Sequence, residues 1–349
     1  MDSKPLGFAI VGSGMIAAVH ARAINAVEGA QLVGVVSRSG ERGQALAAAH
    51  GATVITATVE EMAAREDVQV LCVTTPSGAH LEPALAAIKH GKHVVVEKPL
   101  EVSLQRVDEM LAAAAAMKVR VMPIFQSRFS TGAQAVKAAV DAGRFGRMTL
   151  ASCYVKWFRE ETYYTGSSWK GSLKLDGGGA LMNQAIHGVD LLQWFAGLPE
   201  EVCAMKTRRV HVGIEAEDTA AAVLKFPGGA LGTIEASTAA WPGWSQRIEL
   251  CGEKGAIRLE DGVITEWQFK EEQPEDEGLR RGGGAELGSG ASNPSGISIE
   301  GHVRQIKDMV DAINEDRPLK IRGPEGRNAI ALIEALYASA ETGRSVTVG

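Results

Sequence analysis

Apolar and polar positions along the first 125 residues alternate in a strand–helix rhythm. Residues 7–12 (GFAIVG) read as a short buried strand, followed by a glycine turn and a helical stretch through Ile24 and Val27. Leu32–Val36 predicts the next strand, and Ala45, Leu46, Ala48 and Ala49 fit a helix. Val68–Val73 is a further apolar strand. Leu81, Ala84, Leu85 and Ile88 mark one helix face. His93–Val96 predicts a strand, Leu104, Val107, Leu111 and Ala114 a helix, and Val119–Ile124 a strand. Strands alternating with helices predict a parallel sheet covered on both faces.

The rhythm changes after about residue 125. A helix at 133–141 and a strand near 148–157 come first, and a turn at Gly177–Gly179 leads into an apolar helix through Phe195. Strand patterns follow at 201–211, 219–226, 230–238, 246–251 and 255–259, with Pro227-Gly228-Gly229 as a hairpin turn. Consecutive strands on short turns predict an antiparallel sheet in an α+β domain. Residues 271–298, charged and then rich in Gly and Ser, read as a long irregular segment: a mobile loop, a lid or an oligomer contact. Two helices finish the chain. Val303, Ile306, Val310 and Ile313 face one way on the first, and Pro324 opens the second. The expected organisation is an α/β Rossmann domain over 1–125 and an α+β domain over 126–349, with room for the C-terminal helices to pack back on the first.

Composition narrows the class. A chain of 349 residues, 45% hydrophobic and 22% charged, can build two full cores. The net charge of −6 argues against a nucleic-acid partner. No run of ~20 apolar residues predicts a membrane span. Lys4 before the apolar stretch Leu6–Val19, with Ala21-Arg22-Ala23 behind it, imitates a signal peptide, but Gly12 and Gly14 interrupt it at a meaningful spacing. Cys72, Cys153, Cys203 and Cys251 lie far apart and read as reduced core thiols of a cytoplasmic protein.

Three motifs carry chemistry. Gly12-Ser13-Gly14-Met15-Ile16-Ala17 directly follows a strand and opens a helix. Gly12 permits the tight turn, Gly14 lets backbone approach a pyrophosphate, and Ala17 lets helix and strand pack closely. Free N–H groups at the helix start then face the anion. The next strand ends at Ser37-Arg38, where NAD enzymes place an acid for the ribose hydroxyl. Arginine there suits a 2′-phosphate, so NADP is favoured over NAD. Glu97-Lys98-Pro99 stands at a strand's carboxyl end, where a lysine can exchange protons with a substrate hydroxyl. Asp176-Gly177-Gly178-Gly179 precedes Asn183, His187 and Asp190, which share a face at helical spacing. His187 there is an acid–base candidate or a core histidine. No metal is expected, because neighbouring carboxylates or cysteines at ligand spacing are lacking.

Together AIVGSGMIAAVHARAI, TTPSGAHLEPALAAIKHGKHVVVEKPLEVS and LDGGGALMNQAIHGVDLLQW resemble the Gfo/Idh/MocA oxidoreductases over nearly the whole chain. The resemblance implies a nicotinamide-dependent dehydrogenase or reductase. Its substrate would be a secondary alcohol or ketone of a sugar, sugar nucleotide or cyclitol, and its C-terminal domain would hold a large, mostly antiparallel sheet that forms a homodimer or homotetramer. It implies Lys98 as catalytic lysine and His187 as its partner, converging near the nicotinamide. Thr75, Pro76 and His80 would line the cofactor with Glu97. Many members carry Asp where this chain has Asn183, which cannot take a proton. Tyr163, Trp169, Lys170, Asn183 and Gln184 look similar to a branch acting on nucleotide-linked amino-sugar acids. Gln126 and Arg128 are added as expected substrate contacts. An NAD-dependent glycosidase and a non-enzymatic regulator on the same scaffold are the competing readings.

Overall fold

The computed structural model describes residues 4–282 and 298–349. In chain order the elements are β1 (Leu6–Val11), α1 (Met15–Asn25), β2 (Ala30–Val36), α2 (Gly40–His50), β3 (Val54–Thr56), α3 (Val59–Ala63), β4 (Val70–Val73), α4 (Leu81–Lys89), β5 (His93–Val96), α5 (Leu104–Met117) and β6 (Val121–Pro123). Then come α6 (Thr131–Asp141), β7 (Met148–Lys156), α7 (Glu161–Thr165), a π-helical turn Ala180–Ala185, α8 (Ile186–Ala196), β8 (Glu201–Thr207), β9 (Thr219–Lys225), β10 (Leu231–Ser237), β11 (Arg247–Gly252), β12 (Gly255–Glu260), β13 (Val263–Phe269), α9 (Asp276–Gly282), α10 (Glu300–Asn314), α11 (Gly323–Thr342) and β14 (Val346–Thr347).

The chain divides into two compact units. One runs to Gln126 and takes in Ile299–Arg327; the other comprises Ser127–Ser298 and Asn328–Gly349. The first is a six-stranded, all-parallel sheet in the order β3-β2-β1-β4-β5-β6. That is the doubly wound order whose strand sequence reverses beside β1, where ligands bind at strand carboxyl ends. The apolar runs of β1, β4 and β5 are buried because helices cover both faces. Ile306, Met309 and Val310 of α10 join the core cluster formed with α1 and β1. Burying each such side chain contributes about 1.5–3 kcal/mol, which holds a helix from far along the chain in this unit.

The second unit is an eight-stranded sheet, β13-β12-β11-β7-β10-β9-β8-β14. Its neighbours run antiparallel except β7 and β10, which pair in parallel. Pro227–Gly229 turns β9 into β10 as expected.

Several elements depart from the sequence expectations. The strand expected over 201–211 stops at Thr207, because the N–H groups of Arg209, Val210 and His211 all turn to the Asp218 carboxylate. The helix expected after Gly179 begins as a π-helical turn. Strand β3, helix α3 and strand β14 are too short for a periodic signal, although Thr58 and Glu61 form a capping box at α3. Strand β13 and helix α7 were also missed. The segment expected to be irregular from 271 opens with α9, pinned by buried Asp276. Its carboxylate takes hydrogen bonds from Arg144 at 2.8 and 2.7 Å and from Trp267 Nε1 at 2.6 Å. The rest of that segment, 283–297, lies outside the described residues. Cys72 and Cys153 are buried thiols, but Cys203 is exposed and Cys251 half-buried, so two of the four are not core residues. Among the described residues no helix is long and apolar enough to cross a membrane.

Candidate active site

The turn after β1 has the shape of a dinucleotide cradle. Gly12 has φ +115°, a conformation L side chains avoid, and a Cβ there would lie 2.8 Å from Thr74 Oγ1. Thr74 in turn donates its N–H and hydroxyl to the Val11 carbonyl, binding the turn to the end of β4. Gly14 differs. Its φ −84° and ψ −176° are open to any residue, and a Cβ there meets nothing within 4 Å among the described residues. Neither backbone nor internal packing requires glycine at 14. The space beside it, at the N-terminus of α1, fits a pyrophosphate. Met15 is exposed and Ile16 half-buried on the first turn of α1, and Ala17 is fully buried. The cradle therefore fits the dinucleotide implied by the motif.

At the end of β2 the two candidates separate. Ser37 Oγ lies 3.0 Å from Ser13 Oγ and donates to the Ser39 carbonyl at 2.9 Å, so it shapes the loop. Arg38 is exposed.

The next two strand ends are tied together. His80 is buried, with Nδ1 2.9 Å from the Pro99 carbonyl and Nε2 2.9 Å from the Thr75 carbonyl. Thr75 itself donates its hydroxyl to Ala79 O at 2.8 Å, across Pro76. His80 is expected in the loop that lines the cofactor; its side chain is a strut between two loops, both ring nitrogens lying within hydrogen-bond distance of a carbonyl. Glu97 is buried at the end of β5, and half-buried Lys98 donates its backbone N–H to Glu97 Oε2 at 3.1 Å. Glu97 Oε1 accepts from His20 Nε2 at 2.8 Å and lies 3.5 Å from His302 Nε2. Thus Glu97 faces inward, to two imidazoles, where a cofactor contact was expected. Two imidazole nitrogens and one carboxylate oxygen, one atom from each of His20, His302 and Glu97, lie within 4.8 Å of one another. His20 and His302 were missed, since no local pattern links residues 282 positions apart.

In the second unit the π-turn gathers a polar cluster. Gly178 and Gly179 sit where a Cβ would strike Tyr337 Oη at 2.0 Å and the Glu217 carbonyl at 1.9 Å, so that close approach requires glycine. Asn183 Nδ2 donates to Asp176, and Gln184 Nε2 donates to Tyr163 Oη at 2.8 Å and to Asn183. Arg159, missed in the sequence, is buried and donates to Gln184 Oε1 from Nη2 at 2.6 Å. Burial lowers its pKa. Lys170 Nζ lies 3.5 Å from the Tyr163 ring centroid and Arg159 Cζ 5.5 Å from it. Trp169 is half-buried beside them in sequence, its N–H directed to Ser167 Oγ.

Two expectations in this unit change. Arg128 was expected at the substrate; its guanidinium instead grips Asp190 in a buried bidentate pair, stacked 5.0 Å from the Trp194 ring. Asn183, His187 and Asp190 were expected to share one face of an α-helix. The π-turn breaks that spacing, and Asn183 and Asp190 are drawn to Asp176 and Arg128. His187 is half-buried, the second residue of α8. Gln126 is half-buried in the first unit, its side chain where a Cβ on Gly301 would come within 2.8 Å.

Sheet order and cradle together define a dinucleotide-binding unit of the Rossmann class. Residues 6–125 match the oxidoreductase family with an NAD-binding Rossmann fold, and 133–258 match the GFO/IDH/MocA C-terminal domain. The chain belongs to the Gfo/Idh/MocA family of NAD-binding oxidoreductases. It is similar to the WlbA dehydrogenase from Bordetella pertussis, solved in complex with NADH and UDP-GlcNAcA: 32% identity, a TM-score of 0.91, and 100% and 99% of the two chains covered. It is also similar to the inositol 2-dehydrogenase of Rhizobium meliloti, 26% identical over 98% of each chain. A third relative is the 2,7-anhydro-N-acetylneuraminate hydratase of Mediterraneibacter gnavus, 29% identical over 80% of this chain and 76% of that one.

Proposed function

We propose that the chain oxidises or reduces a secondary alcohol or ketone of an acidic sugar, most simply a sugar nucleotide bearing a carboxylate. The observation that carries the substrate half is the Tyr163 cluster: one aromatic face with two cations, Arg159 and Lys170, and the amides of Asn183 and Gln184. A ring face suits the apolar side of a sugar, and a guanidinium suits a carboxylate. The likeness to WlbA supports the same choice.

Bound NAD(P) supplies the hydride chemistry. The chain's part is to hold the diphosphate at Gly12, Gly14 and the start of α1, and to move the hydroxyl proton. Lys98 and His187 take that role in this reading: an amine at a strand's carboxyl end and an imidazole, both half-buried. Arg38 supports NADP as cofactor, whereas the WlbA structure holds NADH. We also read the exposed strip Leu150, Leu231, Val223 and Met205 across β7, β10, β9 and β8 as the contact with a second copy of this chain. A cytoplasmic setting suits the exposed thiol of Cys203.

The test is turnover of UDP-GlcNAcA, UDP-GlcNAc and myo-inositol with NAD+ and NADP+, followed by absorbance of the reduced nicotinamide. Net reduction with the acidic sugar nucleotide, and at least tenfold less with its neutral parent, is expected. Equal rates with the neutral sugar would overturn the carboxylate reading. Substrate conversion without net reduced cofactor would point to a hydride recycled within one turnover. Lys98→Met and His187→Asn should each lower turnover by roughly 10²–10⁴-fold with cofactor affinity retained.

A further inference from the structure

His20 in α1, Glu97 at the end of β5 and His302 in α10 meet in the interior of the first unit, each at least nine-tenths buried. The Glu97 carboxylate is divided between two tasks. Oε1 takes the 2.8 Å bond from His20 Nε2 and faces His302 Nε2 at 3.5 Å, while Oε2 takes the Lys98 backbone N–H at 3.1 Å. The imidazoles meet edge to face, their centroids 5.4 Å apart. A carboxyl this deeply buried would ordinarily hold its proton. Burial pushes its pKa up, but the His20 hydrogen bond and the nearby His302 imidazole outweigh that and hold it well below the usual carboxylate range, while burial lowers the pKa of His20 itself. An ionised carboxylate is the stronger acceptor for the Lys98 N–H.

We propose that His20 and His302 are positioning residues for Lys98: they fix the Glu97 carboxylate, and the carboxylate fixes the peptide that carries the lysine. The proposal rests on reading Lys98 as the proton-moving group. It also joins two parts of the site. His20 stands on the helix whose first turn forms the Gly14 cradle, so the element that receives the diphosphate also orients the lysine strand. Glu97 also acts on the Cys72 thiol of β4, raised by burial first and then by this charge, and on His80 ahead of α4.

The experiment compares full-length wild type with His20→Leu, His302→Leu and His20→Gln. Gln places an amide N–H near the position of Nε2 and preserves the bond. Two readouts are used. One is the pH midpoint of Lys98 acetylation by acetic anhydride, measured by mass spectrometry without substrate. The other is turnover of UDP-GlcNAcA with NAD(P). Both Leu variants should shift the Lys98 midpoint and lower kcat by roughly tenfold or more, with the KM for NAD(P) changed less than about threefold; His20→Gln should recover most of both. If a Leu variant fails to fold, Asn at the same position, whose amide is too short to reach Glu97, replaces it. Folded Leu variants with wild-type midpoint and kcat would overturn the proposal. So would a stoichiometric zinc ion whose chelation reproduces the Leu phenotype, since a cation would then hold Glu97. Lys98→Met is the control: wild-type turnover there would sink the lysine's chemical role, while the labelling shift would still decide the positioning.

Discussion

Arg128 and Asp190 form a bidentate ion pair, Nε to Oδ2 at 2.7 Å and Nη2 to Oδ1 at 2.6 Å, with both side chains almost wholly buried. Gln193 adds a 3.1 Å bond to the same carboxylate, so α8 is clamped to the segment that precedes α6. His187 is one turn away from Asp190 on α8. The pair therefore sets where that helix, and its histidine, stands within the second unit.

Breaking this pair from one side leaves a buried charge uncompensated. Arg128→Met or Asp190→Leu should each destabilise the protein by about 3–5 kcal/mol. The double variant should cost clearly less than the two singles added. Urea denaturation of all three checks this. Strict additivity would show that the two side chains are not energetically coupled.

Gly14→Val tests the cradle. The site has a backbone open to any residue and free space for a side chain, so the melting temperature should hardly move. NAD(P) affinity should fall at least tenfold, because the branched side chain takes the space of the diphosphate. Gly12→Ala should behave oppositely in stability, losing on the order of 1–3 kcal/mol to backbone strain and the clash with Thr74. Calorimetric titration and thermal melts of both variants separate the two effects. Unchanged NAD(P) affinity in Gly14→Val would remove the cradle assignment.

Arg38→Ala should separate the cofactors. With a 2′-phosphate held there, NADP binding loses a charge-assisted contact of about 1.5–3 kcal/mol and NAD binding stays nearly constant. Dissociation constants for both cofactors decide it. Equal losses would assign Arg38 to the adenine, common to both.

His93 predicts a dependence on pH. Its Nδ1 accepts the Arg120 N–H at 2.9 Å, which requires an unprotonated nitrogen. Burial first, and the Arg120 charge second, lower its pKa to about 4. The unfolded ring titrates near 6.5, so between roughly 6.5 and 4 the unfolded chain binds a proton that the folded chain refuses. Stability from this group is complete above pH 6.5 and is lost as pH falls towards 4. Partial exposure of the ring limits the effect to on the order of 1–2 kcal/mol. His93→Asn keeps the acceptor and removes the titration. Its stability relative to wild type should rise as pH drops from 7 to 4; parallel curves would refute the assignment.

Much of the first unit was legible because its cues are local. An apolar run followed by Gly12 and Gly14 specifies strand, turn and helix start within ten residues, and β5 ends directly before Glu97-Lys98-Pro99. The strand-rich character of the second unit was legible from alternation and from Pro227–Gly229, whereas the parallel pairing of β7 with β10 was not, since pairing between strands 81 residues apart leaves no local mark. Segments of two to five residues, such as β3, α3 and β14, are shorter than the period that would reveal them.

The sequence by itself determined the residue types at the turns and the order of elements, because glycine's backbone freedom and apolar periodicity act between near neighbours. Tertiary structure alone decided what the polar side chains do. Arg128 could not be known to meet Asp190, nor Glu97 to turn inward to His20 and His302, until distant segments were packed together. A buried charge takes whatever partner the fold delivers, and the cost of leaving it unpaired makes that partner, and not its neighbours in sequence, decide its role.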